Sequence, residues 1–399
     1  MLCDMNGGGI VQLVAARFAQ IYGRPATAIA QAPGRVEFIG NHTDYNGGSV
    51  LGAAIDRFVW VAAARNPAGR LRLFSDGAPA VLELPGDPAA RVTGSDAWAN
   101  YPLGVWRSLR DFKLPRPASF DLFVYSNLPS GAGLSSSAAL ELAVALALLQ
   151  LEGAAAIDPA LLAAVGRHAE NHYAGVPCGI LDQGTSAHGR AGHLVRIDCR
   201  GPVYSLVPFP VKAALWVFDT REKHALIDGL YAERHRECQE AAQRMGVEWL
   251  CDRVPADRPV WESLLPAQLS RRVRHVVDEH DRVRRVSEAL AADDLVGVGR
   301  ILVESHRSSQ QLFDNSTAAL DTLVELLDGF PGVYGARLTG GGFGGAVMAL
   351  TTAEFTARDA NVIGQRHAEK HGRVPEMLGL RLADGARIVT AETMTSKAT

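Results

Sequence analysis

The chain reads as an α+β protein of two domains. Its 399 residues exceed what one compact core usually holds, so two domains are the starting expectation. Short alternating apolar runs crowd the first third, the pattern of strands. Strands and helices then follow in mixed order without βα alternation, which argues against a doubly wound sheet. We expect one domain over residues 1–200 and a second over 201–399.

The elements follow in order. Ile10, Val14, Phe18 and Ile21 recur at helical spacing and predict a helix over 9–22. After Gly23 and Pro25, strands are expected at Thr27–Gln31, Val36–Ile39, Phe58–Ala63, Leu71–Phe74 and Ala80–Leu84. Residues 97–110 read as a helix, and Phe120–Tyr125 as a strand feeding a glycine turn. Helices at 138–152 and 160–173 come next, then strands at Leu194–Asp198 and Ser205–Val207. The second half has a strand at Ala214–Phe218 and a charged amphipathic helix at Ala225–Arg244. Residues 267–304 carry helical spacing with dense charge, most simply the solvated faces of packed helices. A helix over 317–329, strands Tyr334–Thr339 and Ala346–Leu350, a helix near 353–371 and a strand near Ala386–Thr390 complete the series.

Composition excludes several classes of function. Forty basic residues against 43 acidic ones leave a net charge of −3, so no broad field draws the protein to nucleic acid or an anionic membrane. Cys3, Cys178, Cys199, Cys238 and Cys251 are odd in number and scattered, which suits reduced thiols in the cytoplasm better than a disulfide framework or a zinc site. The start, Met1-Leu2-Cys3-Asp4, has no leader pattern. Ala138–Leu151, the most apolar segment, holds Glu141 and is shorter than the roughly 20 residues of a membrane span. It reads as a buried helix.

Four stretches carry the chemistry. In Pro129-Ser130-Gly131-Ala132-Gly133-Leu134-Ser135-Ser136-Ser137 the glycines permit a tight turn and close backbone approach. The serines fall where a helix begins, and free N–H groups at such an end favour phosphate; an ordinary capped turn is the plainer alternative. Pro33–Gly48 packs Arg35, Glu37, Asn41, His42, Asp44 and Tyr45 around a short apolar strand. That density of donors and acceptors suits a polyol, or a polar surface loop. Cys178-Gly179-Ile180-Leu181-Asp182-Gln183, with Glu170 upstream, offers one carboxylate as a base and another for Mg²⁺; taken alone, Asp182 is a turn or cap residue. Finally, Thr339-Gly340-Gly341-Gly342-Phe343-Gly344-Gly345 sits between two apolar strands, where glycines mark close approach of a ligand or another segment.

Three of them, Gly34–Gly48, Pro129–Ala139 and Gly340–Gly345, resemble the three signature motifs of the galactokinase branch of the GHMP small-molecule kinases. Trp98-Ala99-Asn100-Tyr101, Gly175–Gln183, Ile197–Arg200 and Ser305-His306-Arg307-Ser308 extend the likeness over most of residues 10–390. The resemblance implies two α+β domains with the active site in the cleft between them, and an ATP- and Mg²⁺-dependent sugar 1-kinase. By position it makes Asp182 the catalytic aspartate at the sugar's anomeric hydroxyl, with Arg35 beside it stabilising developing charge. Ser137 and Glu170 become Mg²⁺ ligands. Gly131, Gly133, Ser135, Ser136 and Ser137 cradle phosphate, while Trp98 and Tyr101 wall the adenine. His42, Asp44, Gly179 and Tyr231 contact the sugar, as does position 41.

That position departs from the family, which usually has an acid where this chain has Asn41 and Asn where it has Glu37. The acid normally sits near the sugar's C6 hydroxyl. An amide there no longer repels a carboxylate, so a C6-altered sugar such as galacturonate becomes admissible beside galactose. Alternatively, Glu37 and Asn41 have exchanged partners within one local network. A sensor that keeps the fold and loses catalysis is the remaining rival, although Leu134–Ala139 and Asp182 are intact.

Overall fold

A computed structural model describes residues 7–88, 91–129, 133–154, 156–222 and 227–389. The chain opens with α1 (Gly7–Tyr22), β1 (Ala28–Ile39), β2 (Ser49–Arg65), β3 (Leu71–Ser75) and β4 (Leu82–Leu84). There follow α2 (Asn100–Asp111), β5 (Phe120–Ser126), α3 (Ser136–Leu151), α4 (Pro159–Ala169), α5 (Leu181–His188), β6 (His193–Asp198) and β7 (Val203–Pro208). The second half contributes β8 (Ala213–Asp219), α6 (Ile227–Met245), α7 (Arg258–Leu264), α8 (Ala267–Ala291), α9 (Leu295–Ser308) and α10 (Ala318–Leu327). It ends with β9 (Val333–Thr339), β10 (Ala346–Thr352), α11 (Ala357–His371), β11 (Glu376–Leu380) and β12 (Arg387–Ile388).

Two sheets organise these elements. The larger runs β12-β1-β2-β5-β3-β4, with β6 on the other half of β2 and β7 beyond it. Only the β3–β5 pair is parallel. The smaller sheet runs β11-β8-β10-β9 and is antiparallel throughout. The first sheet's β7 ends at Pro208 and the second sheet's β8 begins at Ala213, while β12 returns to the first sheet. One buried apolar cluster continues from the first sheet and α3 into Leu215, Val217 and Met348 of the second.

Several expectations change in detail. The two strands expected within residues 27–39 are one, because its bulges (at Pro33/Arg35 and Glu37/Ile39) interrupt the alternation without ending the strand. The first bulge lets Gly34 press against the Leu134 carbonyl and Leu128, where a Cβ would sit only 2.4 Å from Leu128 Cδ2. Helix α3 is apolar on every face because it is enclosed by β1, β2, α2 and α4. Short α5 was not anticipated: its sequence, LDQGTSAH, carries no apolar periodicity.

The densely charged 267–304 region departs most from expectation. Arg272, His275, Glu279 and Arg282 are all buried. Their three- and four-residue spacing puts them on one face of α8, turned inward instead of toward solvent. Arg272 pairs with Glu237 at 2.9 Å, and Arg282 with Glu279 at 2.7 Å. Burial is tolerated because each charge meets an opposite one.

Candidate functional site

The two halves meet at a cleft of about 730 Å³. Its walls come from β1, the following turn, the loop entering α3, Glu170, residues 175–182, Tyr231 and Thr339–Gly345. All four stretches singled out by their chemistry therefore converge on one cavity.

At its centre Arg35 and Asp182 meet from segments 147 residues apart. Arg35 Nε and Nη2 both donate to Asp182 Oδ1, at 2.8 and 2.6 Å. Arg35 Nη1 donates to the Gly133 carbonyl at 2.7 Å, tying β1 to the glycine loop. Ser135 Oγ donates to Asp182 Oδ2 at 2.5 Å. This hydroxyl is thus committed to the aspartate. Ser135 itself adopts φ +56° as α3 begins, and Gly133, Ser136 and Ser137 line the cleft beside it. Gly131, also expected in the phosphate cradle, lies outside the described residues.

Glu170 is buried in the cleft wall where α4 widens into a π-turn (Glu170–Ala174), a distortion frequent at functional sites. Burial raises its carboxyl above the ordinary range, with the charge of Asp182 adding to the effect. Ser137 hydrogen-bonds the same carboxylate. A hydroxyl and a carboxylate side by side are hard oxygen donors of the kind that hold Mg²⁺ together with phosphate oxygens and water, so these residues fit the ion.

The sugar-recognition candidates gather on the other side. His42 (φ +60°) lies in contact with Tyr231 and Tyr45. Its Nε2 is 3.1 Å from the Gly341 carbonyl and its Nδ1 2.8 Å from Tyr45 Oη. A carbonyl can only accept, so Nε2 carries the proton and Nδ1 accepts from the tyrosine. Burial pushes the His42 pKa down to about 3, with His275 contributing, and the ring stays neutral. Asp44 is pushed up to about 6 by burial and by Asp182. Gly179 closes over Asp44 so tightly that a Cβ would come within 1.7 Å of its Oδ2. Any side chain there would displace the Asp44 carboxylate.

Asn41 is buried and fully engaged. Its amide nitrogen donates to the Gly340 carbonyl at 2.8 Å, and its Oδ1 accepts from Asn315 Nδ2 at 2.8 Å. Glu37, also in the cleft wall, receives Arg337 Nη2 at 3.1 Å on Oε1. Its Oε2 lies 3.5 Å from the Asn41 amide. Burial outweighs Arg337 and Arg35 and lifts the Glu37 carboxyl to about 7. Beyond it, Gly40 and Asn41 N–H groups both donate to Glu279 Oε1 at 3.1 Å. Burial alone would raise Glu279, but Arg282 and Arg337 hold it far below the carboxylate range.

Trp98 and Tyr101 do not line the cleft. They sit on the 3₁₀ turn Gly94–Ala99 and the first turn of α2, which packs on α3 and α4. Trp98 Nε1 is buried without a hydrogen-bond partner among the described residues. Sequence reasoning missed Arg337, Glu279, Asn315, Gln183 and Glu141. A charged residue inside an apolar strand (Arg337) or an apolar helix (Glu141) was the available signal.

His275 links this site to stability. Its Nε2 donates to the Asn41 carbonyl (3.2 Å) and its Nδ1 pairs with Ser308 Oγ (2.9 Å). Burial depresses its pKa to about 3. Because the folded value lies below the unfolded one, its contribution is complete above about pH 6.5 and lost as pH falls toward 3, by up to about 1.4 kcal/mol per pH unit. His275→Asn removes the titrating group. Urea unfolding of parent and variant at pH 7.5 and 5.5 should show a gap in stability that shrinks at the lower pH; a constant gap contradicts the linkage.

Three family models match the chain. They are the galactokinase galactose-binding signature over residues 16–65, the GHMP kinases N terminal domain over 100–190 and the GHMP kinases C terminal over 286–366. A galactokinase of Chloroflexus aggregans is 39% identical over 381 residues, covering 94% of this chain and 97% of that one. The galactokinase of Homo sapiens is 37% identical, covering 93% and 95%. Among solved structures, Lactococcus lactis galactokinase complexed with galactose superposes with a TM-score of 0.90 at 30% identity, covering 95% of this chain and 99% of that one. L. major mevalonate kinase in complex with R-mevalonate, at 18% identity and a TM-score of 0.60 over 90% of this chain and 96% of that one, shares the fold.

Proposed function

Because the chain belongs to the galactokinase family of the GHMP kinases, we propose that it transfers the γ-phosphoryl group of ATP to the anomeric oxygen of galactose, giving galactose 1-phosphate and ADP. The observation that carries the mechanism is the Arg35–Asp182 pair, 2.6 Å apart in the cleft. Asp182 accepts the proton of the anomeric hydroxyl as the sugar oxygen bonds to the γ-phosphorus and the bond to the β-phosphate bridge breaks. Arg35 and Ser135 grip its two oxygens and fix its direction. Arg35 also supplies positive charge where negative charge develops. Such a reaction is mainly positioning and charge stabilisation, with little covalent work for the protein.

The loop of Gly133, Ser136 and Ser137 at the start of α3 offers N–H groups and hydroxyls to the phosphates. Ser137 and Glu170 would hold Mg²⁺, which when bound neutralises phosphate charge. A cytoplasmic location belongs to the same proposal, supported by the free thiols of Cys178, Cys199, Cys238 and Cys251. No helix among the described residues is long and apolar enough to cross a membrane.

Galactose is favoured over galacturonate by the Glu37–Asn41 network. Arg35 and Glu37 stand two residues apart on β1 and share a face, roughly 7 Å along the strand, about the reach of a pyranose with its substituents. With the reacting hydroxyl at Asp182, the far end of the ring approaches Glu37, while both ends of the Asn41 amide are already occupied. At pH 8, where a Glu37 carboxyl lifted to about 7 is largely ionised, a sugar carboxylate would then meet a protein carboxylate, and like charges brought together cost several kcal/mol. ADP release across aldoses and uronic acids at saturating ATP should give galactose a kcat/KM at least about 100-fold above galacturonate. The reverse order would overturn the choice of sugar.

A further inference from the structure

Resting on that reading of Glu170, we propose that Gln183 is a positioning residue for the cation site, its side-chain amide fixing Glu170 against the buried Glu141. Gln183 Nε2 donates to Glu170 Oε2 at 2.6 Å and to Glu141 Oε2 at 3.0 Å. One NH₂ has two hydrogens, and here each serves a different carboxylate on a different element. Both Gln183 and Glu141 are fully buried. Glu170 Oε2 is thereby committed, with Cys178 Sγ a weaker neighbour at 3.4 Å.

The clamp joins the three elements that carry the chemistry. Ser137 and Glu141 stand four residues apart on α3 and so share a face: one hydroxyl goes to the cation side, one carboxyl to Gln183. Glu170 comes from the π-turn. Gln183 itself directly follows Asp182 in α5. A single amide therefore sets the spacing of a metal-ligating hydroxyl, a metal-ligating carboxylate and the proton acceptor.

Packing alone does not account for this arrangement. Among the described residues, Glu141 Oε1 and Gln183 Oε1 are both buried without hydrogen-bond partners, and such orphaned groups are destabilising. Apolar residues would fill the same space more stably. What the polar trio supplies is direction, the usual task of groups just outside a metal's ligands.

Gln183→Met keeps the length of the side chain and removes the donor. In the full-length variant, the Mg²⁺ concentration for half-maximal velocity should rise about tenfold or more, with kcat at saturating Mg²⁺ within about threefold and galactose KM within about twofold of the parent. Mn²⁺ binding to the ATP complex, followed by electron paramagnetic resonance, should weaken by the same factor without reference to turnover. Glu141→Gln, which leaves an acceptor facing Gln183, should weaken it less. Mn²⁺ binding within about twofold of the parent, or a galactose KM that rises in step with the metal constant, overturns the proposal. Should Gln183→Met fail to fold, Glu141→Leu, which removes the acceptor facing Gln183, decides by the same Mn²⁺ titration, unchanged binding again overturning the idea. A parent enzyme inactive on galactose would count against the proposed substrate only, because the Mn²⁺ titration reads the clamp independently.

Discussion

Asp182→Asn lowers kcat by about three orders of magnitude, the loss expected when a positioned base is removed, while galactose binding measured by calorimetry changes far less. The substitution keeps size and shape and takes away the proton acceptor. Its amide oxygen can still face Arg35, leaving the NH₂ toward Ser135, whose hydroxyl can turn to accept. The geometry around the sugar is therefore largely kept. Single-turnover measurement separates the chemical step from product release and is the appropriate readout. A variant that turns over at nearly the parent rate would remove Asp182 from the mechanism. A parent that binds galactose and ATP without forming ADP would instead favour the sensor reading.

Arg337→Met should produce the largest loss of stability. Arg337 is fully buried on β9 and donates to Ser305 Oγ at 3.0 Å, to the Glu37 carbonyl at 3.3 Å and to Glu37 Oε1 at 3.1 Å. Glu279 Oε1 lies 3.9 Å away. Replacing the cation leaves buried carboxylates without their partner, which typically costs about 3–5 kcal/mol. Glu37→Gln in the same chain removes one of the stranded charges, so the double variant should recover part of the loss. Denaturant unfolding of the two single variants and the double one forms the test. Strictly additive effects would mean that the two side chains are not coupled. Because Glu37 also lines the cleft, Arg337→Met should raise galactose KM as well.

Most of the architecture was legible because apolar periodicity dictates it. α1, β5 and β8 follow from spacing, α3 from its run of strong helix formers, and the glycine stretches marked where segments come close. The converging site was legible through motif likeness, down to Arg35 and Asp182 meeting. Sequence could not reveal which polar residues turn inward. On α8 the spacing of Arg272, His275, Glu279 and Arg282 is the same whether that face meets water or protein. Only the partners decide, and Glu237, Ser308 and Arg337 lie on other elements. Helix α5 escaped notice for a related reason: its eight residues (five of them polar) are held by tertiary contacts rather than by intrinsic propensity. Asn41 illustrates a third limit. Its type suggested an open sugar ligand, whereas the Gly340 carbonyl and Asn315, nearly 300 residues away, occupy both ends of its amide.

The return of β12 to the first sheet has a consequence for synthesis on the ribosome. Ile388 and Arg387 pair with Ala30 and Gln31 on β1. Just before them, Ala386 N–H donates to the Ser186 carbonyl and Gly385 N–H to the Gly189 carbonyl, at the rear of the helix whose front end bears Asp182. A nascent polypeptide can therefore collapse around β1 and β2 early, yet α5 lacks its last backbone partners until residues 385–388 have been made. Activity should emerge only once residues 385–388 have left the ribosome, and stop codons shortly before residue 385 should yield an enzyme with an unsecured catalytic helix.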